Sequence, residues 1–148
     1  MLDLTFHDQT TFSDAELGTH GDCCRACCAT ILGIDPKALP HPIAESGDWN
    51  MAFHRTLRDM GFSIRTFPNC ELASETILFD PEWGNFQIPA IVMATGISPR
   101  GVRHAVVYDR VASRMLHDPH PSRSGIEVIE DFDYLGPFPR PDLPEPTP

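Results

Sequence analysis

The order of patterns along this chain predicts an α+β fold, because helix-forming stretches come first and strand-like runs follow. The first stretch, CCRACCATIL, holds no proline and stops at Gly33, a residue well suited to ending a helix. The second sets Trp49, Phe53, Leu57 and Met60 along one apolar stripe, with Asp48 able to cap its start and Gly61 to end it. From Phe62 onward, short apolar runs broken by glycine and proline have the look of strands.

Taken in order, the first twenty residues read as a loose arm with at most one strand. A helix over 23–32 follows, then a loop punctuated by Pro36, Pro40 and Pro42, then a helix over 48–60. Residues 62–67 read as a strand, and 69–87 stay ambiguous because Pro81 and Gly84 interrupt any long element. Strands are expected at 88–95, 103–109, 114–118 and 126–129, with a loop over 96–102. Residues 1–135 form one expected domain, and the proline-dense 136–148 an extended or disordered tail.

Bulk properties narrow the function. The chain has 148 residues, 41% apolar and 22% charged, which suits one globular domain with a core. A formal charge of -10 argues against nucleic acid and against anionic membrane surfaces, since both demand a basic footprint. The longest apolar run, 88–94, is short and contains Pro89, so no membrane-spanning helix is expected. The opening MLDLTFHDQT lacks a basic and then apolar leader pattern. Five cysteines without such a leader point to reduced thiols and a cytoplasmic location.

Four of those cysteines, Cys23, Cys24, Cys27 and Cys28, fall within six positions. At ~100° per residue, Cys24, Cys27, Cys28 and Ile31 share one helical face, with Arg25 and Ala29 opposite. Burial as small apolar residues is the expectation for Cys27 and Cys28. Cys24 and Cys27 also have the spacing of a zinc pair, with His117 and His120 as possible nitrogen ligands, but a second cysteine pair is missing. Cys23 differs by position. In the first helical turn, free N–H groups and the positive end of the dipole favour a thiolate, unless the Asp22 carboxylate faces the sulfur.

A thiolate catalyst needs a histidine and an orienting group. RHAVVYDRVASRMLHDP reads as a hairpin. If it is symmetric about Val111, Tyr108 opposes Arg114, Val106 opposes Leu116 and His104 opposes Asp118. The alternative for His104 and Asp118 is a plain polar pair at a sheet edge, and a one-residue slip would separate them.

The stretches GDCCRACCATILGI, RHAVVYD and LHDPHP resemble papain-like cysteine hydrolases, and most nearly the bacteriocin-leader (double-glycine) peptidase group. Closer still, through GDCCRACCATILGID, the Trp49 helix and SPRGVRHAVVYD with HDPHPSRSG, residues 21–125 resemble small proteins of phage and bacterial genomes. The resemblance implies a catalytic first helix packed on an antiparallel sheet. It casts Cys23 as nucleophile, His104 as general base and then acid, and Asp118 as the group orienting His104. The leader peptidases carry an oxyanion-binding glutamine just upstream of the cysteine; here ELGTHGDC has none, and Gln9 lies further back. Thr19, His20 or the Cys23 backbone N–H are the substitutes to consider. Losing one oxyanion donor typically costs about 10²–10³ in rate.

The expected function is therefore cleavage of an amide bond in a peptide or protein substrate, with no cofactor. Arg100, Arg103 and Arg123 flank the site in sequence and can receive an anionic group or simply be solvated loop charges. Gly96 and Gly101 raise the idea of a mobile lid. Two alternatives stand beside the hydrolase: a papain-like fold that only binds a protein partner, and a zinc-stabilised module.

Overall fold

The structure is a computed structural model and describes residues 4–12, 21–41, 49–68, 77–80 and 84–137. Helix α1 spans Cys23–Leu32, a single 3-10 turn Pro36–Ala38, and α2 Trp49–Asp59. Among the described residues seven strands follow: β1 (Phe62–Pro68), β2 (Ile77–Asp80), β3 (Gly84–Gln87), β4 (Ile91–Ile97), β5 (Arg103–Asp109), β6 (Arg114–His117) and β7 (Val128–Pro137). The protein is α+β. Its main sheet has the order β1-β7-β4-β5-β6 with every neighbouring pair antiparallel, while β2 and β3 form a separate hairpin.

Helix α1 ends where its sequence says it should. Gly33 takes the left-handed conformation (φ 69°), and its N–H returns to the Ala29 carbonyl. The helix lies on the sheet against β4, β5 and β7. Cys27 and Cys28 are fully buried there with Met93, Ala105, Val107 and Leu135, as small apolar cysteines should be. Ala29, expected on the far side, is equally buried. The N-terminal arm accounts for this by crossing that side: the His7 N–H donates to Thr30 Oγ1, and Thr10 and Thr11 are bound to Asp22. The described part of the arm, 4–12, contains no strand and is tied down, so "loose" does not describe it.

Helix α2 packs on β1 through buried Phe53 and Leu57. Met60 falls after its last turn and is exposed, which corrects the expected stripe. The proposed cap Asp48 lies outside the described residues, as does 138–148; Gly136 and Pro137, expected to open the tail, instead pair with β1 as the end of β7.

Several strand boundaries differ from expectation. β4 begins at Ile91 and not at 88, because Pro89 cannot donate to a ladder. β6 stops at His117, leaving Asp118 in the following turn. β7 runs ten residues through EDFDYLG, where only a short strand at 126–129 was expected. It lies between β1 and β4, so both its edges are paired and its polar residues are carried into the sheet.

Gly96 has a packing role. A Cβ there would lie 2.0 Å from the Val128 carbonyl oxygen, at the point where the β4–β7 register shifts. It is therefore a close-approach residue and no hinge of a lid. Gly101 occupies a left-handed position (φ 79°) in the turn after Ser98, whose hydroxyl bonds the Val102 carbonyl. Among the described residues, no helix is long and apolar enough to cross a membrane.

Candidate active site

The centre of the site is a hydrogen bond that the ladder does not make. His104 opens β5 and is 4% exposed; Asp118 follows β6 and is 1% exposed. His104 Nε2 and Asp118 Oδ1 are 2.6 Å apart. The anticipated cross-strand register is wrong, however. Tyr108 opposes Met115 and Asp109 opposes Arg114, and a bulge between Val107 and Tyr108 shifts the pairing again. The contact survives because the turn after β6 aims the carboxylate back at the ring.

That turn also holds Asp118 from its other sides. The His120 N–H donates to Oδ1 at 2.8 Å and the Gly125 N–H to Oδ2 at 2.7 Å. Burial pushes the carboxyl upward, but the His104, His120 and Gly125 hydrogen bonds outweigh it and hold Asp118 below the ordinary carboxylate range. A carboxylate fixed this way orients an imidazole. With Nε2 turned to Asp118, the other ring nitrogen, Nδ1, has no hydrogen-bond partner among the described residues.

Cys23 stands at the first position of α1, and the backbone N–H groups of Ala105 and Cys24 are directed at its sulfur. Ala105 is the next residue after His104, so helix start and strand start meet here. Cys23, Cys24 and His104 line one cleft of about 510 Å³, whose wall continues through Phe53, His54 and Thr66.

The surroundings of Cys23 disfavour the expected thiolate. Burial pushes the Cys23 thiol up to about 12, helped by Cys24 and Asp22, and the two N–H donors do not reverse it. Desolvation thus outweighs the helix N-terminus. Asp22 is not pointed at the sulfur: its carboxylate accepts from the Thr10 N–H (2.8 Å), the Thr11 N–H (2.9 Å) and Arg25 Nη2 (2.7 Å). Burial raises Asp22, yet these bonds win and leave it below its usual value.

The remaining predicted residues divide. Thr19 and His20 lie outside the described residues. Arg103 lines the cleft but its guanidinium bridges Glu130 (3.2 Å) and Asp131 (3.0 Å). Arg123 is turned away from the cleft: it bridges Asp8 at 2.6 Å and donates to the Asp118 carbonyl, so it clamps the arm to the turn that carries Asp118. Arg100 is exposed in the 98–102 turn and is not among the described cleft residues. Gln9 bonds the Pro119 carbonyl through its backbone and the Thr11 carbonyl through its side-chain amide, so that amide N–H is committed elsewhere. A larger groove of about 680 Å³ between the arm and 33–37 contains none of Cys23, His104 and Asp118.

Zinc finds little support in the geometry. His117 is bound to Asp8 and His120 to Ser122, and among the described residues no three His, Cys, Asp or Glu side chains converge on one point.

The two carboxylates of the cleft, Asp131 and Asp133, were not expected from the residue pattern. The signal was present in VIEDFDYLGP: read as a strand, it puts Asp131, Asp133 and Leu135 on one face and Phe132 on the other. Ending the strand at 129 hid it. No protein-family model, curated protein or solved structure matches this chain.

Proposed function

We propose that this protein is a cysteine hydrolase of papain-like architecture that cleaves an amide bond in a peptide or protein, with Cys23 as nucleophile, His104 as base and acid, and Asp118 as orienting group. The observation that carries the proposal is the buried His104–Asp118 pair opening onto the cleft that Cys23 also lines. A helix beginning at the cysteine and lying on an antiparallel sheet is what the proposed architecture requires.

Chemistry follows from the ring's orientation. With Nε2 held by Asp118, Nδ1 is the atom that takes the Cys23 proton as sulfur attacks the substrate carbonyl. The tetrahedral oxyanion is met by the Cys23 backbone N–H in the open first turn of α1. As the C–N bond breaks, Nδ1 returns the proton to the leaving amine and a thioester remains. Water, deprotonated by the same nitrogen, hydrolyses that thioester and restores the thiol. Because Cys23 rests as a neutral thiol, the proton transfer accompanies substrate binding and is not complete beforehand.

One observation favours a second reading. A thiol raised to about 12, with no hydrogen bond to His104, is also what a cleft that only binds a peptide would show. Treatment with a peptidyl chloromethyl ketone separates the two. The hydrolase loses that reaction in His104→Ala, with modification mapped to Cys23 in the parent; a binding module labels no faster at Cys23 than at Cys24.

A further inference from the structure

The cleft holds a carboxylate that the proposed chemistry does not use. Asp133 is 5% exposed on β7, opposite Met93 of β4 and Thr66 of β1, and all three line the cleft. Its Oδ1 accepts the Thr66 hydroxyl. Oδ2 has no hydrogen bond, and no cation pairs with this carboxylate, among the described residues.

Charged neighbours do not supply the missing partner. Arg103 attracts Asp133 from a distance, but its guanidinium forms its ion pairs with Glu130 and Asp131. Asp131 is on the same wall and repels Asp133. His54 on α2 faces the cleft without bonding Asp133, and Cys27 and Cys28 of α1 are uncharged thiols held well above their usual range, Cys27 by burial and Cys28 by a hydrogen bond with Cys24 and by burial. A buried carboxylate without a cation is costly to keep, and burial indeed raises Asp133 to about 6. At neutral pH it is still mostly ionised, within a protein whose net charge of -10 attracts cations.

We infer that Asp133 is the specificity carboxylate of this cleft and receives the lysine or arginine side chain of a peptide substrate. This rests on the proposed hydrolase for the word substrate, whereas the cation subsite itself does not require catalysis. The Thr66 hydroxyl fixes one oxygen, and the incoming ammonium or guanidinium takes the other.

The test uses binding and cleavage separately. Acetyl-Ala-Lys-Ala-amide and its norleucine and glutamate counterparts are titrated calorimetrically at pH 7.5 into full-length Cys23→Ala, with and without Asp133→Asn; Asp133→Ser replaces the latter if it does not fold. The expected result is about tenfold tighter binding of the lysine peptide than of the norleucine peptide, lost in the Asp133 variant. Equal binding of the lysine and norleucine peptides, a preference that persists without Asp133, or no binding by any of the three overturns the subsite. Fluorogenic amides of the same peptides are then offered to the unmutated protein. Lysine-selective binding without cleavage leaves the subsite standing and removes the hydrolase; cleavage without lysine preference does the reverse.

Discussion

His104 on β5 and Asp118 are joined by a 2.6 Å hydrogen bond although β6, the strand paired with β5, ends one residue before Asp118. The bond is made by a turn. Asp118 gathers three donors, and the segment that supplies two of them, 120–125, is anchored in turn by Arg123 to Asp8 of the N-terminal arm. Orientation of the proposed base therefore depends on Asp8, which lies 115 residues from Arg123 in sequence.

Asp118→Ala should damage both folding and activity. It leaves the buried Gly125 N–H and the His120 N–H without acceptors, a cost of about 1–3 kcal/mol each when water cannot replace the bond. Urea denaturation reads that loss, and cleavage of the best fluorogenic amide should fall at least about 10²-fold. Its pH dependence has a definite sign. A folded-state value below the unfolded 3.8 contributes stability that is fully present above that value and fades only as pH drops through the lower one.

Cys23 alkylation by iodoacetamide should climb with pH and show no plateau between pH 6 and 9, because burial holds the free thiol near 12. Site-resolved mass spectrometry across that range checks it. A plateau centred below about 8.5 would mean that Cys23 and His104 already share an ion pair at rest.

Asp133→Asn should stabilise the protein at neutral pH. The carboxyl rises from 3.8 unfolded to about 6 folded, so the folded state binds more protons in that window and stability falls as pH rises through it. Two pH units correspond to about 3 kcal/mol at most. Denaturation midpoints at pH 4 and pH 7.5 should converge in the variant and diverge in the parent. The amide can still accept from Thr66, which keeps the comparison clean.

Gly96→Ala should be among the more harmful single changes to the sheet. The added methyl meets backbone, the Val128 carbonyl oxygen at 2.0 Å, and also Ile126 at 2.7 Å. The Val128 backbone cannot yield as a flexible side chain would, so a loss of roughly 2–3 kcal/mol is expected by thermal or urea unfolding. Gly101→Ala, strained by its positive φ but facing open space, should cost less.

Local chemistry made much of this protein readable from residues alone. No proline and a terminal glycine delimit α1 because both act within a helical turn, and the expected span agrees with the observed Cys23–Leu32. Burial of Cys27 and Cys28 follows from helical angle and small apolar volume. Residues 103–109 also form a strand within their expected limits, because RHAVVYD carries its own apolar pattern.

Where many parts of the chain act together, residue patterns were insufficient. The length of β7 depends on having β1 on one side and β4 on the other, which lets a strand carry Asp131 and Asp133 where a lone segment would favour solvent. The state of Cys23 was misjudged for a related reason: a helix start favours a thiolate locally, but desolvation comes from everything packed around it. The sequence by itself determined the helices, the α+β order and the candidate trio Cys23, His104 and Asp118. Only the tertiary structure decided which oxygens reach which nitrogens, and which charge stands in the cleft without a partner, since both depend on register and burial summed over distant segments.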